Sequence, residues 1–517
     1  MEAVPEIAHR KFQLLDLLKF NRSVWAFLVI GIGLRCLALT QPIVDNGILR
    51  QAQTAAFTQS LLQSPGFALS ARIPWIGDMD ARYLLELPMY NYLVIAVHWI
   101  TGDLDLSGKI TSILLWIASF VCLQFIWRRI LDSQQTFWAN LLFVIAPLGV
   151  FYGQAFMPEM LVQLLAFGFV LLVLRYDESP TLLRWSICAA VGLMGLMVKL
   201  PETAHLYLIL AFLLFRREGW KALWRPRYLV AAVLTVAVVK GWSAYIDTVN
   251  TSPLSFGSSK ESLRVFIGTL ESRFHLTPWI MVLLYLGAFV VPGPLAIVTG
   301  YGLLVFLRKY RQQILGLWLL SLAAFYLLWF GNTAAGQNYY NLPALAPLCA
   351  LFGIGVNAVL GWSKIVRRRL AASVVTVSVV MISAVPALIY LFKQDRPILE
   401  AARWTRAHTR SNETILFRPN HRWDMIDYPF NAVLAYYSDR RTFVWTRNTP
   451  DQYRQAALQR ASYAIVTLPQ PPARGILGVV NRFRRAYDRQ PESVDWLESA
   501  GFEKVAMEEG FVAYRRK

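Results

Sequence analysis

The sequence predicts an α-helical polytopic membrane protein of about 11 spans, with in-plane helices in its first outer loop and a small α/β extracytoplasmic C-terminal domain. Apolar and aromatic residues make up 56% of the 517 residues and charged residues only 16%, whereas soluble domains carry about 25%. The mean hydropathy is +0.42, and the apolar residues fall in long runs. These features exclude a disordered chain, a collagen-like chain and a simple soluble enzyme.

The formal net charge of +19 has a membrane explanation, because excess Lys and Arg collects on cytoplasmic loops. We therefore predict no nucleic-acid partner. Basic clusters begin at Arg128, Arg175, Arg216, Arg308 and Lys364. If all of them lie in the cytoplasm, the apolar runs between them cross the membrane in alternating directions without conflict. The predicted spans are 22–40, 109–127, 136–156, 159–174, 184–200, 203–215, 228–246, 279–306, 313–330, 340–362 and 370–392. The tail then lies outside the cytoplasm.

One apolar run, Leu87–Ile100, is too short for a span and would reverse the side of the Arg128 cluster. We interpret it as a helix in the outer interface. The predicted domains are 1–392, which spans the membrane, and 393–517, a small α/β domain. In that tail the patterns predict strands at Thr414–Arg418 and Tyr463–Leu468, helices at Asp451–Arg460 and Ser493–Ala500, and a final hairpin at Phe502–Arg515.

Titratable residues at the outer ends of spans are the candidates for chemistry, because charge near a membrane is costly unless it serves structure or function. Eight of them converge on one face and predict a polar cavity: Asp45, Glu86, Glu159, Lys199, Glu202, His205, Arg273 and His275.

Several of these residues, and the tyrosines of a later motif, also have a structural interpretation. Asp45 could be a general base, or it could cap a helix over Asn46–Gln59. Glu86 stands near a helix start, where the helix dipole favours an acid. Lys199 and Glu202 could form a structural ion pair. The tyrosines after Gln337 could be interfacial anchors.

Taken in order, these motifs resemble the glycosyltransferase C superfamily, and are most similar to the bacterial protein O-mannosyltransferases and the lipid A aminoarabinose transferase. The resemblance covers about residues 20–360. Its motifs are Asp45 after the first span, Glu86 to Tyr92 with Tyr90 between them, Glu159 in Met-Pro-Glu-Met, Lys199-Leu-Pro, and Asn338-Tyr339-Tyr340 before Pro343.

The resemblance implies an inverting membrane glycosyltransferase in the bacterial inner membrane. Its donor would be a polyprenyl-phosphate-linked sugar, and its acceptor a lipid, glycan or protein on the outer face. By this resemblance Asp45 acts as the base and Glu159 as a supporting carboxylate. Glu86, Tyr90, Tyr92, Asn338, Tyr339 and Tyr340 would line the substrate site.

Two departures from the family pattern concern the donor. Leu87-Pro88-Met89 replaces the frequent Lys-Pro-Pro, and Glu159 stands where Asp is commoner. A phosphate leaving group still requires a cation. Lys199, Arg273 and His275 are the candidates on the outer side.

No cofactor is firmly predicted. A divalent metal held by Glu86, Glu159 and His275 stays open, although their spacing does not indicate one. Two other functions also stay open. One is a transporter or flippase of lipid-linked sugars, although no internal repeat supports it. The other is an inactive envelope-assembly scaffold with the same fold.

Overall fold

The computed structural model describes residues 21–64, 66–84, 86–250, 252, 254, 267–269, 271–309, 313–329, 338–362, 365–420, 429–468 and 494–517. Gln337 and Lys364, which the sequence analysis names, lie outside these residues. The described chain forms two compact units. The first consists of Met1–Gln41, Glu86–Ala244 and Ser259–Phe392, and the second of Pro42–Leu85, Tyr245–Ser258 and Lys393–Lys517.

The first unit is helical, and every predicted span contains a helix. The helices are α1 (Arg22–Cys36), α3 (Met89–Thr101), α4 (Leu104–Ile130), α5 (Ser133–Ile145), α6 (Pro147–Tyr152), α7 (Glu159–Glu178), α8 (Leu182–Ala204), α9 (Tyr207–Glu218), α10 (Pro226–Val249), α11 (Leu276–Tyr285), α12 (Leu295–Lys309), α13 (Gln313–Leu328), α14 (Leu345–Gly361) and α15 (Val366–Leu391). In the second unit α2 covers Ile48–Leu62.

Six helical stretches of the described residues are long and apolar enough to cross a membrane, or seven if one bent pair counts as a single span. The chain is therefore a multi-pass membrane protein. The predicted count of 11 is higher, because several predicted spans contain helices too short for this criterion. Helix α1 has 15 residues and α9 has 12, whereas a span needs about 20.

The predicted continuous run 279–306 is broken. Helices α11 and α12 meet at an angle of 104°, after a π-helical turn at Leu286–Val290. Pro292 and Pro294 remove two backbone donors, and Gly293 between them has φ +60°, which glycine adopts without strain. The break is thus encoded by Pro-Gly-Pro.

The helix predicted to lie in the outer interface is α3, which begins two residues inside the predicted run Leu87–Ile100. One side of it carries the buried residues Tyr90, Asn91, Val94 and Ile95, and the side chain of Tyr90 reaches α4. The C-terminal end of the helix is exposed, and the side chains of Trp99 and Ile100 are 79% and 87% accessible. This one-sided burial fits a helix whose outer face lies against lipid.

The second unit contains a five-stranded sheet in the order β4-β3-β5-β7-β6. Its strands are β3 (Thr414–Arg418), β4 (Arg441–Val444), β5 (Tyr463–Thr467), β6 (Phe502–Glu508) and β7 (Phe511–Arg516). Strand β3 pairs in parallel with β4 and β5, and β7 pairs antiparallel with β5 and β6. Three helices of the tail are α16 (Arg396–His408), α17 (Val433–Ser438) and α18 (Asp451–Arg460), and a short α19 (Trp496–Ser499) precedes β6.

The tail predictions are largely confirmed: β3, β5, α18, α19 and the final hairpin lie where the patterns place them. The structure adds β4, α16 and α17, together with a small hairpin of the first outer loop, β1 (Ala71–Arg72) with β2 (Arg82–Tyr83).

The first outer loop also joins the sheet of the same unit. Thr442 N–H donates to the Pro74 carbonyl at 2.9 Å, and Gly77 N–H donates to the Thr442 carbonyl at 2.8 Å. Gly77 has φ +65° and packs on the Phe443 ring, where a Cβ would collide with the ring. The loop therefore extends the edge of the sheet beyond β4.

Candidate functional site

A kink in α8 places Lys199 at the centre of the first unit. Pro201 has no N–H, so the carbonyl of Met197, four residues earlier, loses its helical partner. That carbonyl accepts a hydrogen bond from Leu87 N–H at 3.2 Å instead. Lys199 adopts an extended conformation with φ −158° and ψ 94°. The predicted Lys-Leu-Pro turn thus lies inside a helix and holds the start of the segment after Glu86.

Lys199 forms a buried ion cluster with two glutamates. Its Nζ donates to Glu159 Oε1 at 2.8 Å and to Oε2 at 2.7 Å. It also lies 2.6 Å from Glu202 Oε1, in an ion pair whose angle does not make an aligned hydrogen bond. The side chains are 6%, 0% and 1% exposed for Lys199, Glu159 and Glu202. One cation therefore faces two carboxylates away from water.

Two tyrosines cover this lysine. Its Nζ lies 4.4 Å from the ring centroid of Tyr339 and 4.8 Å from that of Tyr340, within the range of a cation–π contact. Both rings belong to the 3₁₀ turn Asn338–Ala344. Asn338 in the same turn accepts a hydrogen bond from Tyr152 Oη at 2.5 Å. The Asn-Tyr-Tyr motif is thus a buried wall of the cluster.

A small cavity adjoins the cluster on the side of Glu202. Its volume is about 10 Å³, about the space of one water molecule. Its lining residues are Val162, Gln163, Ala166, Phe167, Glu202, His205, Leu206, Trp318 and Pro343. Glu202 Oε2 and His205 Nδ1 accept or donate no hydrogen bond within the described residues. The cavity is therefore lined mostly by apolar side chains, and Glu202 and His205 contribute polar groups to it.

Asp45 belongs to the second unit, where it is 2% exposed. Its Oδ1 accepts hydrogen bonds from Gln51 Nε2 at 2.6 Å and from Gly47 N–H at 3.2 Å. Helix α2 begins at Ile48, its N-cap residue is Gly47, and no side chain caps it. Asp45 is therefore not the N-cap residue of α2, and its carboxylate bonds the Gly47 N–H just before the helix and a side chain of the first helical turn.

Other predicted residues of the first unit have their own partners. Tyr90 Oη donates to the Gly108 carbonyl at 3.0 Å and contacts Ser112 Oγ at 2.9 Å, which fixes α3 against α4. Glu86 and Tyr92 are half-buried. The expected convergence of eight titratable groups is thus seen for Glu159, Lys199 and Glu202, with His205 at the adjoining cavity.

The two outer cations after residue 267 act on neighbouring backbone and side chains. The Arg273 guanidinium donates to the carbonyls of Leu327, Thr269, Ile267 and Leu328 at 2.6–3.3 Å. His275 Nε2 lies 3.8 Å from Glu271 Oε1, and both side chains are exposed.

The described part of the chain contains no group of three or more His, Cys, Asp or Glu side chains arranged to hold a metal ion. Of the three residues left open for a metal, Glu159 is bonded by Lys199 through both carboxylate oxygens, and His275 pairs with Glu271.

Sequence reasoning described two members of the site incompletely or not at all. Glu202 was one of the eight candidates, and the ion pair with Lys199 that was considered for it is present, but its burial beside Glu159 was not expected. Tyr152 carries no motif at all, and only the fold brings it to Asn338. The i,i+3 spacing of Lys199 and Glu202 was the one sequence signal available for the first of these.

Comparisons with known proteins agree with the resemblance to the glycosyltransferase C superfamily. Residues 86–245 match the model of a family described as dolichyl-phosphate-mannose-protein mannosyltransferase. This range includes Glu86, Glu159 and Lys199. No curated protein sequence matches the chain.

Solved structures are similar over most of the chain. ArnT from Cupriavidus metallidurans bound to undecaprenyl phosphate has a TM-score of 0.59 at 11% identity, covering 97% of this chain and 98% of that one. The apo state of the same ArnT gives 0.58 at 12% identity, with 95% and 97% covered. An oligosaccharyltransferase from Archaeoglobus fulgidus, tethered with an acceptor peptide containing the NVT sequon, gives 0.51 at 11%, with 88% and 69% covered. The chain therefore has an ArnT-like fold.

Proposed function

We propose that the protein is a membrane glycosyltransferase that takes a sugar from a polyprenyl-phosphate donor and transfers it to a lipid, glycan or protein acceptor. The observation that carries this proposal is the buried cluster of Glu159, Lys199 and Glu202. Buried ionisable residues in the helices of a membrane protein are costly and often mark functional sites. The ArnT-like fold and the matched mannosyltransferase family name the class of reaction.

The proposed location is the outer face of the bacterial inner membrane, with residues 393–517 outside the cytoplasm. The basic clusters lie in alternate loops of the predicted topology, which supports this orientation. The lipid tail of a polyprenyl-phosphate donor would then stay in the membrane, while its phosphate and sugar contact the protein at the outer face.

In the proposed mechanism Asp45 is the general base. It removes the proton from the acceptor hydroxyl or amine while the acceptor atom attacks the anomeric carbon on the face opposite the phosphate. The bond from the anomeric carbon to the phosphate oxygen breaks, and the polyprenyl phosphate leaves as an anion. The product therefore has the inverted anomeric configuration. No nucleotide-binding fold is needed, because the lipid phosphate already activates the sugar.

Glu159 is the supporting carboxylate in this proposal, and Lys199 holds it. A lysine between two carboxylates has its charge compensated, so it is poorly suited to meet a further anion. We therefore assign Lys199 to Glu159 and Glu202, and keep Arg273 and His275 as the candidates for the donor phosphate. The substrate site in this proposal has two further parts. Asn338, Tyr339 and Tyr340 form the wall beside the cluster. Glu86, Tyr90 and Tyr92 lie at the start of the neighbouring helix α3.

The test is a transfer assay with purified protein in nanodiscs. A panel of undecaprenyl-phosphate-linked sugars is supplied with an inner-membrane lipid extract or peptides as acceptors, with and without EDTA. We expect release of undecaprenyl phosphate that depends on the acceptor, and a product of inverted configuration. The panel is chosen from the lipid-linked sugars that accumulate in cells lacking the protein. Movement of intact donor across the bilayer without cleavage would contradict the proposal and identify a flippase.

A further inference from the structure

The second unit surrounds Asp45 with contacts that fix both its carboxylate and its backbone. Within this unit the segment after α1 meets residues of α2 and residues of the C-terminal tail. These contacts are buried or partly buried, with donor–acceptor distances of 2.6–3.2 Å. They go beyond what a cap or a linker between two helices requires.

Gln51 acts on the carboxylate itself. It stands on the first turn of α2 and is completely buried, and its Nε2 lies 2.6 Å from Asp45 Oδ1. A hydrogen bond to a charged acceptor at this distance is among the strong ones in proteins. Because Gly47 N–H bonds the same oxygen at 3.2 Å, Oδ1 is held by two donors. The orientation of the whole carboxylate is then set by α2.

The tail acts on the backbone just before Asp45. Ile43 N–H donates to Tyr437 Oη at 2.7 Å, and Asp395 N–H donates to the Val44 carbonyl at 2.6 Å. Ile43 and Val44 are both completely buried. Two consecutive residues before the carboxylate are therefore pinned by groups that lie more than 300 positions later in the chain.

We propose that Gln51 is a positioning residue for sugar transfer, and that the C-terminal tail, through Tyr437 and Asp395, is part of the machinery that positions Asp45. This inference rests on the proposed function, in which Asp45 is the base. It assigns the tail a role in the transfer step itself. A tail that only covered the site or presented the acceptor would affect substrate binding instead.

Helix α2 offers a matched control. Gln53 is also completely buried, and its Nε2 donates to the Phe430 carbonyl at 2.7 Å. It thus makes one strong buried hydrogen bond from the same helix, but to backbone and not to Asp45. Substituting Met for either glutamine keeps the length of the side chain and removes the donor.

The experiment compares Gln51→Met with Gln53→Met in the purified full chain, using the undecaprenyl-phosphate-linked sugar that the wild-type protein transfers. We expect Gln51→Met to lower kcat by about 10- to 100-fold with KM for the donor changed less than about 3-fold. Gln53→Met should keep kcat within about 3-fold. Both variants should lose thermal stability to a similar extent, since each loses a buried amide donor that bonds an oxygen within the described residues.

A double-mutant cycle separates positioning from general damage. In the Asp45→Asn background, Gln51→Met should change the residual kcat by less than about 2-fold, because a residue that acts only through Asp45 has nothing left to position. Tyr437→Phe, a milder variant, should lower kcat by about 3- to 10-fold without raising KM.

Two results overturn the inference in distinguishable ways. If the wild-type protein transfers sugar and the Gln51→Met variant is fully active as well, the positioning role alone is overturned. A wild-type protein that transfers no sugar from any donor of the panel contradicts the proposed function, and the inference fails with it. Equal losses of kcat in Gln51→Met and Gln53→Met would show a structural effect and likewise overturn it.

Discussion

Lys199 is the residue on which the chemistry of the first unit depends. It is buried with one glutamate on each side and two tyrosine rings over it. Removing one partner of a buried ion pair leaves an uncompensated charge, which costs far more than the pair itself contributes. The lysine is therefore needed for the fold of this region as well as for any use of Glu159.

This argument predicts the effect of Lys199→Met. The variant leaves Glu159 and Glu202 buried together without a cation, so the free energy of unfolding should fall by about 3–5 kcal/mol. Unfolding in mixed detergent micelles measures it, with the exposed Lys221 changed to Met as the control. Adding Glu159→Gln and Glu202→Gln to the same chain should restore part of the loss. An unaltered unfolding curve for the single variant would mean that the cluster contributes no stability.

At the scale of elements, helix breaks decide where charged side chains lie. Pro201 frees the Met197 carbonyl and sets the Lys199 kink. The end of α5 before Pro147 leaves the Val144 carbonyl, to which Arg35 Nη1 donates at 3.4 Å. Arg35 Nη2 donates to the Gly149 carbonyl at 2.7 Å, and its guanidinium lies 3.6 Å from the Trp116 ring centroid. A buried arginine inside the first helix is thus held by backbone carbonyls and an aromatic ring, while its Nε has no hydrogen-bond partner within the described residues.

The break between α11 and α12 has a consequence for topology. If the bent pair is one broken span, residues before α11 lie outside and residues after α12 lie inside. Reporter fusions after Arg128, Arg217, Arg311 and Arg369 should then report cytoplasm, and fusions after Pro253 and in the tail should report the outside. A fusion after Arg311 on the outer side would identify the pair as a re-entrant loop. A cytoplasmic tail would contradict the proposed orientation.

Elements with a strong local pattern were predictable, and those that depend on distant partners were not. Thr414–Arg418 is buried at every position and reads as a strand from its apolar run. Strand β4 has only four residues and begins with an exposed Arg441, so its pattern is too weak. In the same way Glu159 and Lys199 could be identified by their place at span ends, while their pairing required the fold.

For the whole molecule, the main finding is how its two units are assembled from the sequence. The loop segment Pro42–Leu85 and the C-terminal tail are separated by hundreds of residues, yet both belong to the second unit. They are connected by backbone hydrogen bonds from Thr442 N–H to the Pro74 carbonyl and from Gly77 N–H to the Thr442 carbonyl, and by the bonds to Ile43 and Val44. No local periodicity encodes such contacts, so the sequence alone could predict a separate tail domain but not its share in the surroundings of Asp45.

The most direct test of the account is the turnover number of Asp45→Asn, measured with purified protein and its lipid-linked donor. Asparagine is nearly isosteric with aspartate and keeps an oxygen for Gln51, so expression and donor binding should stay near normal. It cannot accept the proton of the acceptor, and kcat should therefore fall by about 10²–10⁴-fold. An Asp45→Asn protein that transfers sugar at the wild-type rate would contradict the assignment of Asp45 as the base and leave Glu159 as the next candidate.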